Sequence, residues 1–303
     1  MPRKTHGRNF RLFDNYTFYV PGVAELLILV LWLVVGAVAG NLVTFAFSAF
    51  LGPEAAVEYS TVVAYPLMFI PAMVWASARS SRGRYVRSGV RLDSSNFGRS
   101  GWLGCSLMVM AATLAAAFCM DLFNSMLPPM PKWLEDTLKG MTGGNFWLNF
   151  ICVSVFAPFF EEWLCRGMVL RGLLSNKVRP FWAIVISGAF FALIHLNLWQ
   201  ALPAFVLGCL FGYVYYRTGS LKLTILMHFT NNTFALLCGQ SESLKDMNYW
   251  TEVLPPVQYG VIFAAGILLL ALVILELSRI PAKSAEGSLE TVPSDFDDRS
   301  QLC

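Results

Sequence analysis

The sequence contains few charged residues for its length. Asp, Glu, Lys and Arg make up only 14% of its 303 residues, and 56% are hydrophobic, whereas about a quarter of a soluble domain is charged. The formal net charge of +3 gives no reason to expect a nucleic-acid partner. This composition excludes an ordinary soluble domain and predicts a protein embedded in a membrane.

Metal-binding cysteine motifs and a removable leader are also absent. Six of the seven cysteines lie in apolar runs, and neither CxxC nor a Cys/His metal spacing occurs. We therefore expect no cofactor and no structural disulfides. Residues 1–24 are polar and aromatic, without the short apolar core and small-residue cleavage site of a signal peptide. We interpret them as a cytoplasmic N-terminal segment.

Apolar runs of membrane-spanning character fill residues 25–280. They lie at about 25–51, 57–78, 101–126, 146–170, 181–199, 201–217, 221–238 and 256–279. The fifth, sixth and seventh are short or interrupted by polar residues. The sequence thus predicts an all-α, polytopic membrane protein with about eight transmembrane helices. The pairs Gly36/Gly40 and Gly208/Gly212 predict sites of close helix packing.

The loops differ strongly in basic residues, which indicates orientation. If the N-terminus is cytoplasmic, 19 of the 22 Lys and Arg residues fall on the cytoplasmic side. We therefore expect a bacterial cell membrane with both termini on its cytoplasmic side. The Arg-rich loop 79–99 is interpreted as a topology determinant that touches membrane lipids. The tail 281–303 is rich in Ser, Asp and Glu and is predicted to be disordered in the cytoplasm.

Charged residues nevertheless occur inside the fourth run, where each costs about 2.5–3.5 kcal/mol on insertion scales. Glu162 and Arg166 are four residues apart with the acid first, the favourable arrangement for an ion pair on one helix face. Glu161 points about 100° away and lacks such a partner. It must be accommodated by another helix, and a carboxylate in that setting suits a general base. Pro158 is expected to free the carbonyl of Ser154 and kink the helix.

Two of the three histidines lie in later apolar runs. His195 follows Phe191 by four residues, and His228 precedes Asn232 by four, so each pair shares a helix face. Counted inward from the cytoplasmic side, Glu161 and His228 lie at similar depths and His195 lies deeper. These residues are predicted to line a polar cavity open to the cytoplasmic side. Asp121 is interpreted as an interfacial residue.

The three motifs resemble those of the CAAX-protease and bacteriocin-processing family, also called CPBP or Abi. They are Glu161-Glu162 followed by Arg166, Phe191 with His195, and His228 with Asn232. The resemblance covers about residues 146–240. It implies a glutamate-dependent intramembrane endopeptidase without a metal, which hydrolyses a membrane-associated or lipidated protein or peptide.

The resemblance also implies a role for each residue. Glu161 would activate a water with help from His195, and His228 and Asn232 would stabilise the oxyanion of the tetrahedral intermediate. Glu162 and Arg166, with Phe191, would orient Glu161 and its helix.

Two main alternatives remain open at this point. Glu161, His195 and His228 could form a two-His, one-carboxylate zinc site. The protein could instead be a non-enzymatic immunity factor or scaffold that regulates a membrane partner. A proton-coupled transporter is less favoured, because no internal repeat is detectable.

Overall fold

The computed structural model describes residues 13–142, 145–245, 247–295 and 297. Helices dominate this part of the chain, which confirms the all-α prediction. The helices are α1 (Val23–Leu51), α2 (Pro53–Gly83), α3 (Gly101–Asn124), α4 (Lys132–Thr142), α5 (Phe146–Ser175), α6 (Pro180–Leu193), α7 (Leu198–Thr218), α8 (Leu221–Gln240) and α9 (Pro256–Ser278). Single 3₁₀ turns occur at Asp14–Tyr16 and Trp250–Glu252, and two short strands, β1 (Gly89–Val90) and β2 (Thr291–Val292), complete the described elements.

Six of the described helices are long and apolar enough to cross a membrane: α1, α2, α3, α5, α7 and α9. Helix α6 is apolar but has only 14 residues, and α8 is interrupted by polar residues. These two correspond to the fifth and seventh predicted runs, so the predicted eight consist of six clear spans and two atypical helices. The chain is a multi-pass integral membrane protein whose two atypical helices carry the histidine motifs.

The turn between α6 and α7 lies earlier than predicted. Helix α6 ends at Leu193 rather than continuing to 199, and Leu196 adopts a left-handed backbone with a φ of 55°. The side chain of Asn197 then caps α7 by accepting a hydrogen bond of 2.9 Å from the backbone N–H of Gln200. His195 therefore lies in this turn and not inside a helix.

In the structure, residues 281–295 of the C-terminal tail pack against the helix bundle, whereas the composition predicts a disordered tail. Strand β2 pairs antiparallel with β1, with Gly89 opposite Val292. Leu289 is buried, and the backbone N–H of Ser288 donates to the carbonyl of Tyr216 at 3.0 Å. Backbone pairing and one apolar anchor thus compensate for the polar composition. Residues 298–303 lie outside the described part.

Arg171, near the end of α5, connects this helix to the N-terminal residues and to the loop that contains β1. Its guanidinium is fully buried and donates to the carbonyls of Val90 and Tyr19, each at 2.5 Å, and to that of Gly167 at 2.7 Å. Since β2 pairs with β1, residues 13–22, the loop 84–96 and residues 281–295 meet at one end of the bundle. The charge bias predicts that these segments share one side of the membrane.

The predicted glycine contacts are present. A Cβ on Gly36 would lie 2.3 Å from the carbonyl oxygen of Met68, and one on Gly40 would lie 2.9 Å from that of Ala64. The backbones of α1 and α2 thus approach closely around residues 64–68. On α7, a Cβ on Gly208 would lie 3.0 Å from the Cα of Gly188 in α6. Small residues therefore set the spacing of both helix pairs.

Candidate active site

Helix α5 carries the first motif and contains two π-helical segments. It is π-helical over Phe150–Phe156 and again over Trp163–Leu170, and the α-helical turn Ala157–Glu162 lies between. Such π segments are rare in proteins, and those that do occur are often at functional sites. Glu161 and Glu162 therefore lie at the junction of two registers.

Pro158 lies just after the first π-helical segment. The N–H of Ala157 bonds to the carbonyl of Cys152, five residues earlier. In this register the next donor would be Pro158, which has no N–H, so the carbonyl of Val153 is left for another donor. It accepts a hydrogen bond of 2.8 Å from Nδ2 of Asn232, whereas the sequence pointed to the carbonyl of Ser154. This bond fixes α8 against α5.

The predicted ion pair between Glu162 and Arg166 is present and fully buried. Nη1 of Arg166 lies 2.6 Å from Oε1 of Glu162, and neither side chain is exposed. A buried pair needs further partners to offset its desolvation. Nη2 of Arg166 donates to the carbonyl of Gly208 at 2.8 Å. The guanidinium also lies 4.8 Å from the ring centre of Phe191 and 5.3 Å from that of Phe211.

His228 lies between the two glutamates. Its Nδ1 is 3.1 Å from Oε1 of Glu162, and its Nε2 is 4.0 Å from Oε2 of Glu161. An ionised carboxylate only accepts hydrogen bonds, so Nδ1 carries the proton in this pair. Glu162 thus orients His228 as well as Arg166, and Nε2 faces Glu161.

Glu161 finds its inter-helix partner in Tyr65 of α2. The Tyr65 hydroxyl donates to Oε1 of Glu161 at 2.5 Å, and Oε2 is buried on the side of His228. The expectation that another helix accommodates this carboxylate is confirmed. The partner was not predicted, although a tyrosine in the middle of an apolar run was a signal, because a buried hydroxyl needs a partner.

His195 and His228 both contact the aromatic ring of Phe191. The ring centre of Phe191 lies 5.1 Å from that of His195 and 5.3 Å from that of His228, both edge-on. Nδ1 of His195 bonds to the carbonyl of Phe191 at 2.8 Å, so its Nε2 is the acceptor of the neutral ring. Phe191 therefore spaces the two imidazoles.

The zinc alternative requires three ligands around one point. Among the described residues, no group of three or more His, Cys, Asp or Glu side chains is arranged to hold a metal ion.

Asp121 lies elsewhere, at the end of α3. It accepts hydrogen bonds from the backbone of Trp250 at 3.1 Å and from the hydroxyl of Tyr259 at 3.5 Å, which fits its interpretation as an interfacial residue.

Comparison with known proteins points to the segment that carries these motifs. Residues 143–234 match the family model described as type II CAAX prenyl endopeptidase Rce1-like. The Bacillus subtilis protein named "Putative membrane peptidase YdiL" is 31% identical over 90 residues, which are 30% of this chain and 36% of that relative. The chain thus spans little more than a third of the relative's length. No solved structure matches significantly. The segment 143–234, which holds every predicted site residue, is therefore similar to the CAAX-protease family.

Proposed function

We propose that this protein is an intramembrane endopeptidase of the CAAX-protease type, in which Glu161 activates the attacking water. The observation that carries the proposal is the pair of Oε2 of Glu161 and Nε2 of His228, 4.0 Å apart. One water can hydrogen-bond to both atoms at this separation. The pair also lies on the segment that matches the family model.

The hydrogen bonds around the site support a division of labour. Glu161 takes a proton from water as the hydroxide attacks the peptide carbonyl, and His195, with an unprotonated Nε2, assists. When His228 carries both ring protons, Nδ1 donates to Glu162 and Nε2 can donate to the oxyanion. Asn232 uses one N–H on Val153 and has a second for the same oxyanion. Collapse breaks the C–N bond, and the proton passes to the leaving amine.

The substrate we propose is a peptide segment of a membrane-associated protein, with or without a lipid on the residue next to the cleaved bond. The site lies within helices of a membrane protein, so a substrate must reach it from the membrane or its surface. The printed family description, a CAAX prenyl endopeptidase, favours the lipidated class.

The test compares membranes that contain the wild type with membranes that contain Glu161→Gln, by quantitative identification of peptide termini. We expect at least one terminus that only the wild type generates. Glu135→Gln, on α4, is the matched control and should behave as the wild type. Identical termini from wild type and Glu161→Gln would contradict the proposal and leave the scaffold role. Loss of cleavage with a chelator, restored by zinc, would instead favour the metalloenzyme.

A further inference from the structure

Tyr65 touches the proposed base but lies outside the segment that matches the family. It belongs to α2, far from residues 143–234 in sequence. Its hydroxyl is 2.5 Å from Oε1 of Glu161, a length typical of a charge-assisted O–H···O bond. The contact therefore links the N-terminal half of the chain, which lies outside the family match, to the site.

The packing of α2 fixes the position of this hydroxyl. The ring of Tyr65 lies 5.6 Å from that of Phe69 and 6.5 Å from that of Phe160, which directly precedes Glu161. Behind it, Gly36 and Gly40 of α1 lie against the α2 backbone at residues 64–68. A tyrosine held on both sides loses little rotamer freedom when it forms the bond.

We infer that Tyr65 is the positioning residue that selects which oxygen of Glu161 acts as the base. The hydroxyl occupies Oε1, so the carboxylate can rotate only at the expense of this bond. Oε2 is then held toward Nε2 of His228, 4.0 Å away. This inference rests on the proposed function and adds a residue that acts through Glu161 without contact with the substrate.

The experiment is Tyr65→Phe, which removes the hydroxyl and keeps the ring. The substrate is a peptide that spans the cleavage site identified by the comparison of wild type with Glu161→Gln. We expect kcat to fall about 10- to 100-fold, the range for loss of one hydrogen bond to a charged group. KM should stay within about twofold, because the ring contacts and the substrate contacts are unchanged.

Tyr215→Phe is the matched control. The hydroxyl of Tyr215 is also buried and donates to the carbonyl of Leu92 at 2.8 Å, but it lies away from Glu161. Its removal should leave kcat within about twofold of the wild type. An equal loss in both variants would mean a general structural effect and would overturn the inference.

Two further results would also overturn it: wild-type kcat in Tyr65→Phe, or a raised KM with unchanged kcat, which would indicate contact with the substrate.

A second measurement does not depend on turnover. If the bond couples Tyr65 to Glu161, the thermal shifts of Tyr65→Phe and Glu161→Ala should not add in the double variant. Additive shifts would count against the inference. Absence of any Glu161-dependent cleavage by the wild type would remove the proposed function itself, a result distinct from normal cleavage by Tyr65→Phe.

Discussion

The adjacent glutamates should lose very different amounts of stability on the same substitution. Glu162→Gln removes the only carboxylate that the structure places on the buried Arg166 guanidinium. Removal of one partner from a buried ion pair costs about 3–5 kcal/mol, because the other charge is left uncompensated. Glu161→Gln keeps an oxygen to accept the Tyr65 proton, so its cost should be only about 1 kcal/mol.

Thermal unfolding of the purified protein in detergent measures this difference. A loss of 3 kcal/mol corresponds to a midpoint lower by roughly 6–12 °C, from about 2–4 °C per kcal/mol in chains of this order of size. Glu162→Gln should show that shift and Glu161→Gln should stay near the wild type. Activity should follow a different pattern, since the proposed role of Glu161 predicts that Glu161→Gln loses cleavage while the protein stays folded.

The double variant Glu162→Gln/Arg166→Met distinguishes an unpaired charge from lost packing. Replacement of both members by neutral side chains of similar volume is often neutral for stability. The double variant should therefore regain most of the loss seen in Glu162→Gln. A double variant as unstable as the single one, or a Glu162→Gln variant as stable as the wild type, would refute the reasoning.

Two further substitutions test packing. Gly208→Ala should destabilise the protein by about 1–3 kcal/mol in thermal unfolding, because the new Cβ would lie 3.0 Å from the Cα of Gly188. Gly260→Ala is the control and should be neutral or slightly stabilising, because nothing lies within 4 Å of its new Cβ. Equal effects of the two substitutions would contradict this account. Leu289→Ala should cost about 2 kcal/mol or more if the tail is packed, whereas an unchanged midpoint would favour the disordered tail predicted from composition.

The sequence predicted the features that depend on local spacing. The Glu162–Arg166 pair follows from a four-residue separation on one helix, and the glycine pairs follow from the small size of their side chains. Each of the eight apolar runs contains a helix, and six of these helices are long and apolar enough to cross a lipid bilayer. The structure brings His228 close to both Glu161 and Glu162, while His195 lies in a turn beside Phe191.

The features that were missed depend on contacts between distant segments. Tyr65 and Glu161 are 96 residues apart, and nothing in a single sequence specifies that α2 lies against α5 at that height. The tail is predicted to be disordered because its composition is polar, whereas in the structure a short strand pairing and one buried leucine place residues 281–295 against the bundle. The boundary between α6 and α7 was detectable from the sequence. Asn197, followed three residues later by Gln200, resembles a capping box at the start of α7.

The π-helical stretch of α5 sets the relative orientation of Val153 and Glu161. A wide turn of this kind holds one residue more than an α-helical turn. If the same seven residues Phe150–Phe156 were wound as regular α-helix, the part of α5 beyond them would be rotated by about 100° relative to the part before them. Asn232 could then stay on Val153, or Glu161 could keep facing His228, but not both. The wide turn is thus as much a part of the site as the side chains themselves.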